Sequence, residues 1–181
     1  YDLGMSNLGL MILYDLINQR PAYAAERVYL PWTDMEEAMR NHGVPLYSLE
    51  TKHALADFDL VAVSLPYESL YTNLLNGLDL AGLPLRSTDR HTQHPLIIAG
   101  GHGVFNPEPI APFLDAVVIG EGEEVILEIL DLLFAHPPRQ TPRSRLLQKL
   151  SQLRGIYVPA FYRPTYHPNG RLKDFKPLHD Q

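Results

Sequence analysis

Three short apolar runs, each followed by a turn or a segment with helical spacing, constrain this chain more than any other feature. Asp59-Leu60-Val61-Ala62-Val63-Ser64-Leu65, Pro95 to Ala99 and Ala116 to Ile119 lack polar–apolar alternation and carry β-branched residues. They therefore suit strands covered on both faces. Ser69 to Asp79 places Leu70, Leu74, Leu75 and Leu78 at helical spacing with Gly82 as a stop, and Glu123 to Phe134 is a strongly apolar helix. Strands that alternate with helices in this way build a parallel sheet with helices on both faces, joined by right-handed crossovers.

The N-terminal third extends the pattern. Ser6 is the expected N-cap of a helix carrying Leu10, Ile12, Leu13, Leu16 and Ile17 and ending at Arg20-Pro21. Glu26-Arg27-Val28-Tyr29-Leu30 reads as a short strand stopped by Pro31, Thr33 to Asn41 as a helix closed by Gly43, and Ala54 to Asp57 as a helical turn. In such a sheet Tyr1 to Asn7 should be the loop after a first strand, of which only the end is present. Beyond Ala135, His136 to Pro142 is a proline-rich connector, and a basic amphipathic helix runs from about Ser144 to Arg154. Ile156 to Tyr162 is the expected partner of Leu172 to Phe175 in a hairpin turned at Pro168-Asn169-Gly170. The expected organisation is an α/β domain over 1–136, its first strand truncated, and an appendage of connector, helix and hairpin over 137–181.

Composition narrows the function. The 181 residues contain no cysteine, which excludes disulfides, thiol nucleophiles and a cysteine-ligated iron–sulfur cluster within this segment. A net charge of −6 supplies no broad positive field for a phosphate backbone. No apolar run approaches the roughly 20 residues of a membrane span and no signal-peptide pattern opens the chain, so a cytoplasmic location is expected.

Open parallel sheets bind ligands at the carboxyl ends of their strands. The loops to examine are therefore Asp2 to Gly9, Ser64 to Ser69, Gly100 to Pro109 and Gly120 to Glu124. Gly100-Gly101-His102-Gly103 would let a ligand approach the backbone, or would simply make a tight turn. Ser64 could donate to a ligand or satisfy nearby backbone. The carboxylates of Glu121-Gly122-Glu123-Glu124 suit the positive end of a helix. His102 lacks companions at metal-ligand spacing, and Trp32, Tyr67, Tyr71 and Phe105 are candidates to line a flat cofactor or to pack in the core.

Gly4-Met5-Ser6-Asn7-Leu8-Gly9, Asp59 to Leu65, Ile98-Ala99-Gly100-Gly101, Asn106-Pro107-Glu108-Pro109 and Val118-Ile119-Gly120-Glu121-Gly122-Glu123 follow one another in an order and spacing. Together they resemble the N-terminal region of a family of radical S-adenosylmethionine (SAM) proteins, over essentially the whole chain. The resemblance implies a flavodoxin-like, cobalamin-binding-like domain ahead of a barrel whose Cys-x-x-x-Cys-x-x-Cys motif holds a [4Fe–4S] cluster and cleaves S-adenosylmethionine. It makes that downstream barrel the partner of this segment, which is not itself an enzyme. The implied cofactor-facing residues are Ser6, Asn7, Ser64, Tyr67, Gly100, Gly101, His102, Asn106, Glu121 and Gly122. Standard cobalamin-binding domains carry Asp-x-His-x-x-Gly after the first strand, whereas Asp2-Leu3-Gly4-Met5-Ser6-Asn7 has no histidine. A histidine-ligated corrinoid is therefore not expected, and two readings stay open: a domain that binds a corrinoid without a protein ligand or covers the barrel's active site, and a cofactor-free scaffold. An independent nucleotide- or flavin-binding protein is a third.

Overall fold

The computed structural model describes residues 7–178. Its main sheet has the order β1 (Leu60–Ser64), β2 (Leu96–Gly100), β3 (Ala116–Val118) and β4 (Ile156–Tyr157). The first three strands are parallel and β4 returns antiparallel to β3. Helices α1 (Leu8–Asn18), α2 (Thr33–His42), α3 (Tyr71–Leu80), α4 (Gly122–Ala135) and α5 (Arg143–Leu150) flank it, and β5 (Tyr162–Tyr166) pairs with β6 (Leu172–Pro177) as a separate hairpin.

The apolar runs of β2 and β3 become inner strands because nearly every residue has a helix to meet, whichever way it points, while the run of β1 forms the edge of the described sheet. Ile97, Ala99 and Val117 face one layer, with Met39 of α2 and Leu74 and Leu78 of α3. Leu96, Ile98, Ala116 and Val118 face the other, with Leu13, Leu16 and Ile17 of α1, Ile126 and Ile129 of α4, and Leu146 and Leu150 of α5. Leu96, Ile97 and Ile98 are 0–2% exposed, so each side chain contributes about 1.5–3 kcal/mol of burial and β2 anchors the fold. This is the expected flavodoxin-like α/β arrangement. Packing continues past residue 136: Leu146, Leu150 and Val158 are as deeply buried as β2, and β4 joins the sheet. Among the described residues no helix is long and apolar enough to cross a membrane.

A buried ion cluster fastens α5 to the amino-terminal ends of β2 and β3. Asp115, which immediately precedes β3, accepts the Ile97 N–H at 2.7 Å and Arg143 Nη2 at 2.6 Å, with Arg90 Nη2 3.3 Å away. Arg90 also donates to the carbonyls of Pro84, Leu85 and Phe113. Burial pushes its guanidinium below the usual range while Asp115 opposes that shift.

Three sequence expectations are corrected. Residues 26–30 join no ladder among the described residues. At Arg27 the N–H donates to the Glu50 carboxylate at 2.7 Å and the carbonyl accepts from Leu49, and just ahead of this segment Ala25 exchanges two hydrogen bonds with the Asn18 side chain. The N-cap of α1 is Asn7, whose side chain accepts the Leu10 N–H at 3.1 Å; Ser6 lies outside the described residues, as does most of the proposed loop from Tyr1. Finally, Ile156 to Tyr162 does not form one strand. Its first two residues pair with β3, Pro159–Phe161 make a turn of 3-10 helix, and the hairpin begins only at Tyr162.

Candidate functional site

The loops after β1 and β2 are laced together by backbone. The Leu65 N–H donates to the Gly100 carbonyl at 2.8 Å, and the Gly103 N–H donates to the Leu65 carbonyl at 2.8 Å. Residues 65–67 consequently lie directly on 101–103. A Cβ at Gly101 would stand 2.7 Å from the Leu65 carbonyl oxygen; at Gly103 it would stand 2.8 Å from that oxygen and 2.9 Å from the Tyr67 carbonyl carbon. Gly101 also sits at φ 104° and ψ 175°, a region open essentially to glycine alone. Both glycines are thus explained by the chain's own loop, which fills the space the sequence had offered to a ligand. Tyr71 of α3 locks this arrangement by donating its hydroxyl to the Gly103 carbonyl at 2.5 Å and the Asn106 carbonyl at 3.1 Å. Burial, with the nearby Glu68 charge, pushes the Tyr71 phenol up, which keeps it a donor.

The other expected residues distribute around this knot. Asn7 donates from Nδ2 to Ser64 Oγ at 3.2 Å, so α1 starts beside the carboxyl end of β1. Gly100 is the last residue of β2, and its Cβ position is in ordinary contact with Val118 at 3.6 Å. His102 is exposed and stacks on Phe105, ring centroids 5.9 Å apart. Tyr67 and Phe105 are 67% and 63% exposed, so they are rim residues rather than core. Asn106 takes part through its carbonyl. Glu121 is the N-cap residue of α4 without a side-chain capping bond, and Gly122 lies where a Cβ would meet Leu13 of α1 at 3.6 Å, the helix–helix contact that makes a small residue useful there. The structure therefore joins Asn7 to Ser64, Tyr67 to Gly103 and, through Tyr71, Gly103 to Asn106, while Glu121 makes no side-chain cap.

Sequence reasoning missed a second pair at this edge. Glu108 of Asn-Pro-Glu-Pro accepts the Tyr157 hydroxyl at 2.6 Å, and burial followed by this hydrogen bond pushes the phenol far above its usual range. Tyr157 in turn packs against Tyr162 and Phe175 of the hairpin, with centroids 5.2 and 6.0 Å away. Glu108 was visible as part of a motif; its partner, 49 residues away, was not.

As a surface, this edge offers amides, a hydroxyl, an imidazole and two aromatic rings on a rigid backbone. Among the described residues no group of three or more acidic or histidine side chains is arranged to hold a metal ion. The chain has no cysteine, so its residues do not fit a [4Fe–4S] cluster. On the side of Gly101 and Gly103 that a Cβ would enter, the Leu65 and Tyr67 main chain already lies. Two open surface hollows lie elsewhere, one at His53, Asp57 and Phe58 and one beside Thr33, Glu36, Glu37, Arg40 and Asn41.

An open, mostly parallel sheet with helices on both faces, whose small and polar residues collect at the carboxyl ends of the strands, defines an α/β domain of the doubly wound kind. The chain belongs to the family described as "Radical SAM proteins, N-terminal", which it matches over residues 9–159. It is also 29% identical over 98 residues to "Uncharacterized protein MJ0966" of Methanocaldococcus jannaschii, a match covering 52% of this chain and 20% of that protein. The aligned part thus amounts to about a fifth of that relative's length. No solved structure matches the chain.

Proposed function

We propose that this chain is a cytoplasmic accessory domain that covers the active site of a radical SAM barrel following it in the same polypeptide, with the strand-end loops turned toward the barrel. The observation that carries this reading is the pair of exposed rings, Tyr67 and Phe105, held over loops that their own backbone has already filled. Exposed aromatics on a rigid base are suited to docking against another protein surface. The family match supports a radical SAM context and ends at residue 159, just before the hairpin. On this reading residues up to about 159 are the covering domain and the hairpin leads to the barrel. The [4Fe–4S] cluster and S-adenosylmethionine belong to the barrel.

Amide exchange tests the reading. Residues 65–69 and 101–106 should exchange more slowly in the full-length, cluster-loaded protein than in the isolated chain, and Tyr67→Ala with Phe105→Ala should erase that difference. Equal exchange in both proteins would refute the covering role. In parallel, titration of hydroxocobalamin followed by absorbance and calorimetry should give no saturable binding to either protein. Saturable binding with a changed cobalt spectrum would favour the corrinoid reading instead.

A further inference from the structure

The turn just ahead of β2 that receives α5 contains two histidines. Arg143, the first residue of α5, donates from Nη1 to the carbonyls of His91 and His94 at 3.3 and 3.2 Å and from Nη2 to the Pro95 carbonyl at 2.9 Å. Arg139 of the preceding connector donates to the Gln93 carbonyl at 3.1 Å. Carbonyls of residues 91–95 thus point at two guanidinium groups, and the grip on α5 depends on the shape of the turn.

Two bonds give the turn that shape. The His94 N–H donates to the His91 carbonyl at 3.0 Å, and the His91 N–H donates to Nδ1 of the His94 ring at 3.2 Å. A ring nitrogen that accepts from a backbone N–H carries no proton, so this imidazole is neutral with its hydrogen on Nε2. The ring is half-buried against that of His91, with centroids 4.2 Å apart. The groups that act on it are His91 in the same turn, Arg90 ahead of it and Arg143 of α5, all basic. The carboxylates nearby are engaged: Asp115 holds Arg143 at 2.6 Å and Arg90 at 3.3 Å, Asp89 acts on Arg90, and Asp59 lies 3.9 Å from Arg139. A proton placed on Nδ1 would therefore face the His91 N–H, donor against donor, beside two guanidinium charges. Burial, followed by His91, Arg143 and Arg90, accordingly holds the His94 imidazole below its usual range.

We propose that His94 is an acid-sensitive catch for α5. Neutral, it accepts the His91 N–H and keeps the carbonyls of His91, His94 and Pro95 on Arg143. Protonated, the ring swings off that N–H, the turn opens, and α5 loosens together with β4, which follows it into the sheet. Because folding lowers the His94 pKa, the catch contributes its full stability above the unfolded imidazole value of about 6.5 and loses it as the pH falls from there through the folded value. The device sits at the amino-terminal ends of β2 and β3, so it stands apart from whatever the loops at the carboxyl ends dock against.

Amide exchange in the 181-residue chain tests the proposal. Protection of residues 146–150 and 156–157 is measured relative to residues 96–99 at pH of about 7.5 and about 5, so that the intrinsic pH dependence of exchange cancels. α5 and β4 should lose about 10-fold in relative protection at the lower pH. His94→Asn puts an amide oxygen in place of Nδ1 and removes the titration, so its ratio should be the same at both pH values. His91→Gln leaves the His94 ring in place and should keep the wild-type loss. Ring-nitrogen NMR of the wild type needs no variant: the His94 proton should sit on Nε2 at neutral pH, and its titration should track the loss of protection. A pH-independent ratio in wild type, an undiminished loss in His94→Asn, a loss abolished by His91→Gln, or a neutral-pH proton on Nδ1 would each overturn the proposal.

Discussion

Replacing Gly101 by alanine separates a glycine kept for the fold from a glycine kept for a ligand. The substitution incurs two penalties. At φ 104° and ψ 175° a side chain is strained by about 1–3 kcal/mol. A methyl group 2.7 Å from the Leu65 carbonyl oxygen must also displace backbone, an overpacking cost of about 1–3 kcal/mol. Together these reach about 2–6 kcal/mol, a large share of the about 5–15 kcal/mol available to a domain. At about 2–4 °C per kcal/mol for a chain of this size, Tm should fall on the order of 10 °C. Two controls divide the effect. Gly120 has φ 117° with nothing within 4 Å of its Cβ position, so Gly120→Ala should show strain alone, about 1–3 kcal/mol. Gly103→Ala should show the steric part alone, again about 1–3 kcal/mol. Thermal melts by circular dichroism and urea titrations of the three variants would give the order, with Gly101→Ala the least stable. If Gly101→Ala melts with wild type, or no lower than Gly120→Ala, the Leu65 carbonyl is not the reason for that glycine.

Two further outcomes follow from buried polar groups. Asp115→Asn leaves Arg90 and Arg143 without their shared anion and should lower stability by about 3–5 kcal/mol in urea titrations; a loss below about 1 kcal/mol would mean that the carbonyls around Arg90 suffice. Tyr157→Phe should cost about 1 kcal/mol at neutral pH through the lost bond to Glu108. Because folding raises the Tyr157 pKa, its contribution is complete below the unfolded phenol value of about 10 and is lost as pH rises through the folded value. The urea midpoint of wild type should therefore fall more steeply above pH of about 10 than that of Tyr157→Phe, and parallel profiles would contradict the assignment.

Local patterns made the sheet legible. The runs around Leu60–Ser64, Leu96–Gly100 and Ala116–Val118 emerged as parallel strands because their burial depends on their own composition, and α2 stopped at Gly43 in the left-handed conformation that glycine permits. Residues 26–30 have the same β-branched and aromatic character, but Glu50 and Asn18 compete for the backbone around them, and neither side chain signals that from sequence. The antiparallel return of Ile156–Tyr157 to β3 likewise depends on tertiary placement rather than propensity. For the site, glycine identity was readable but the neighbour responsible for it was not: a requirement for no side chain looks the same whether a ligand or Leu65 occupies the space. Asp115 gave no hint of its role, because its two arginine partners come from separate stretches of chain.

The pairing of β4 with β3 has a mechanical consequence. A proline-rich stretch such as 136–142 would by itself let everything after it swing, but α5 is clamped by Arg143 to Asp115 and β4 is stitched into the sheet. The hairpin then hangs from Tyr157, whose hydroxyl grips Glu108 in the loop between β2 and β3. The hairpin is thus mounted on a strut rather than a hinge, and a twist applied to it is delivered through Tyr157 to the loop that carries Glu108 instead of dissipating in the proline-rich stretch.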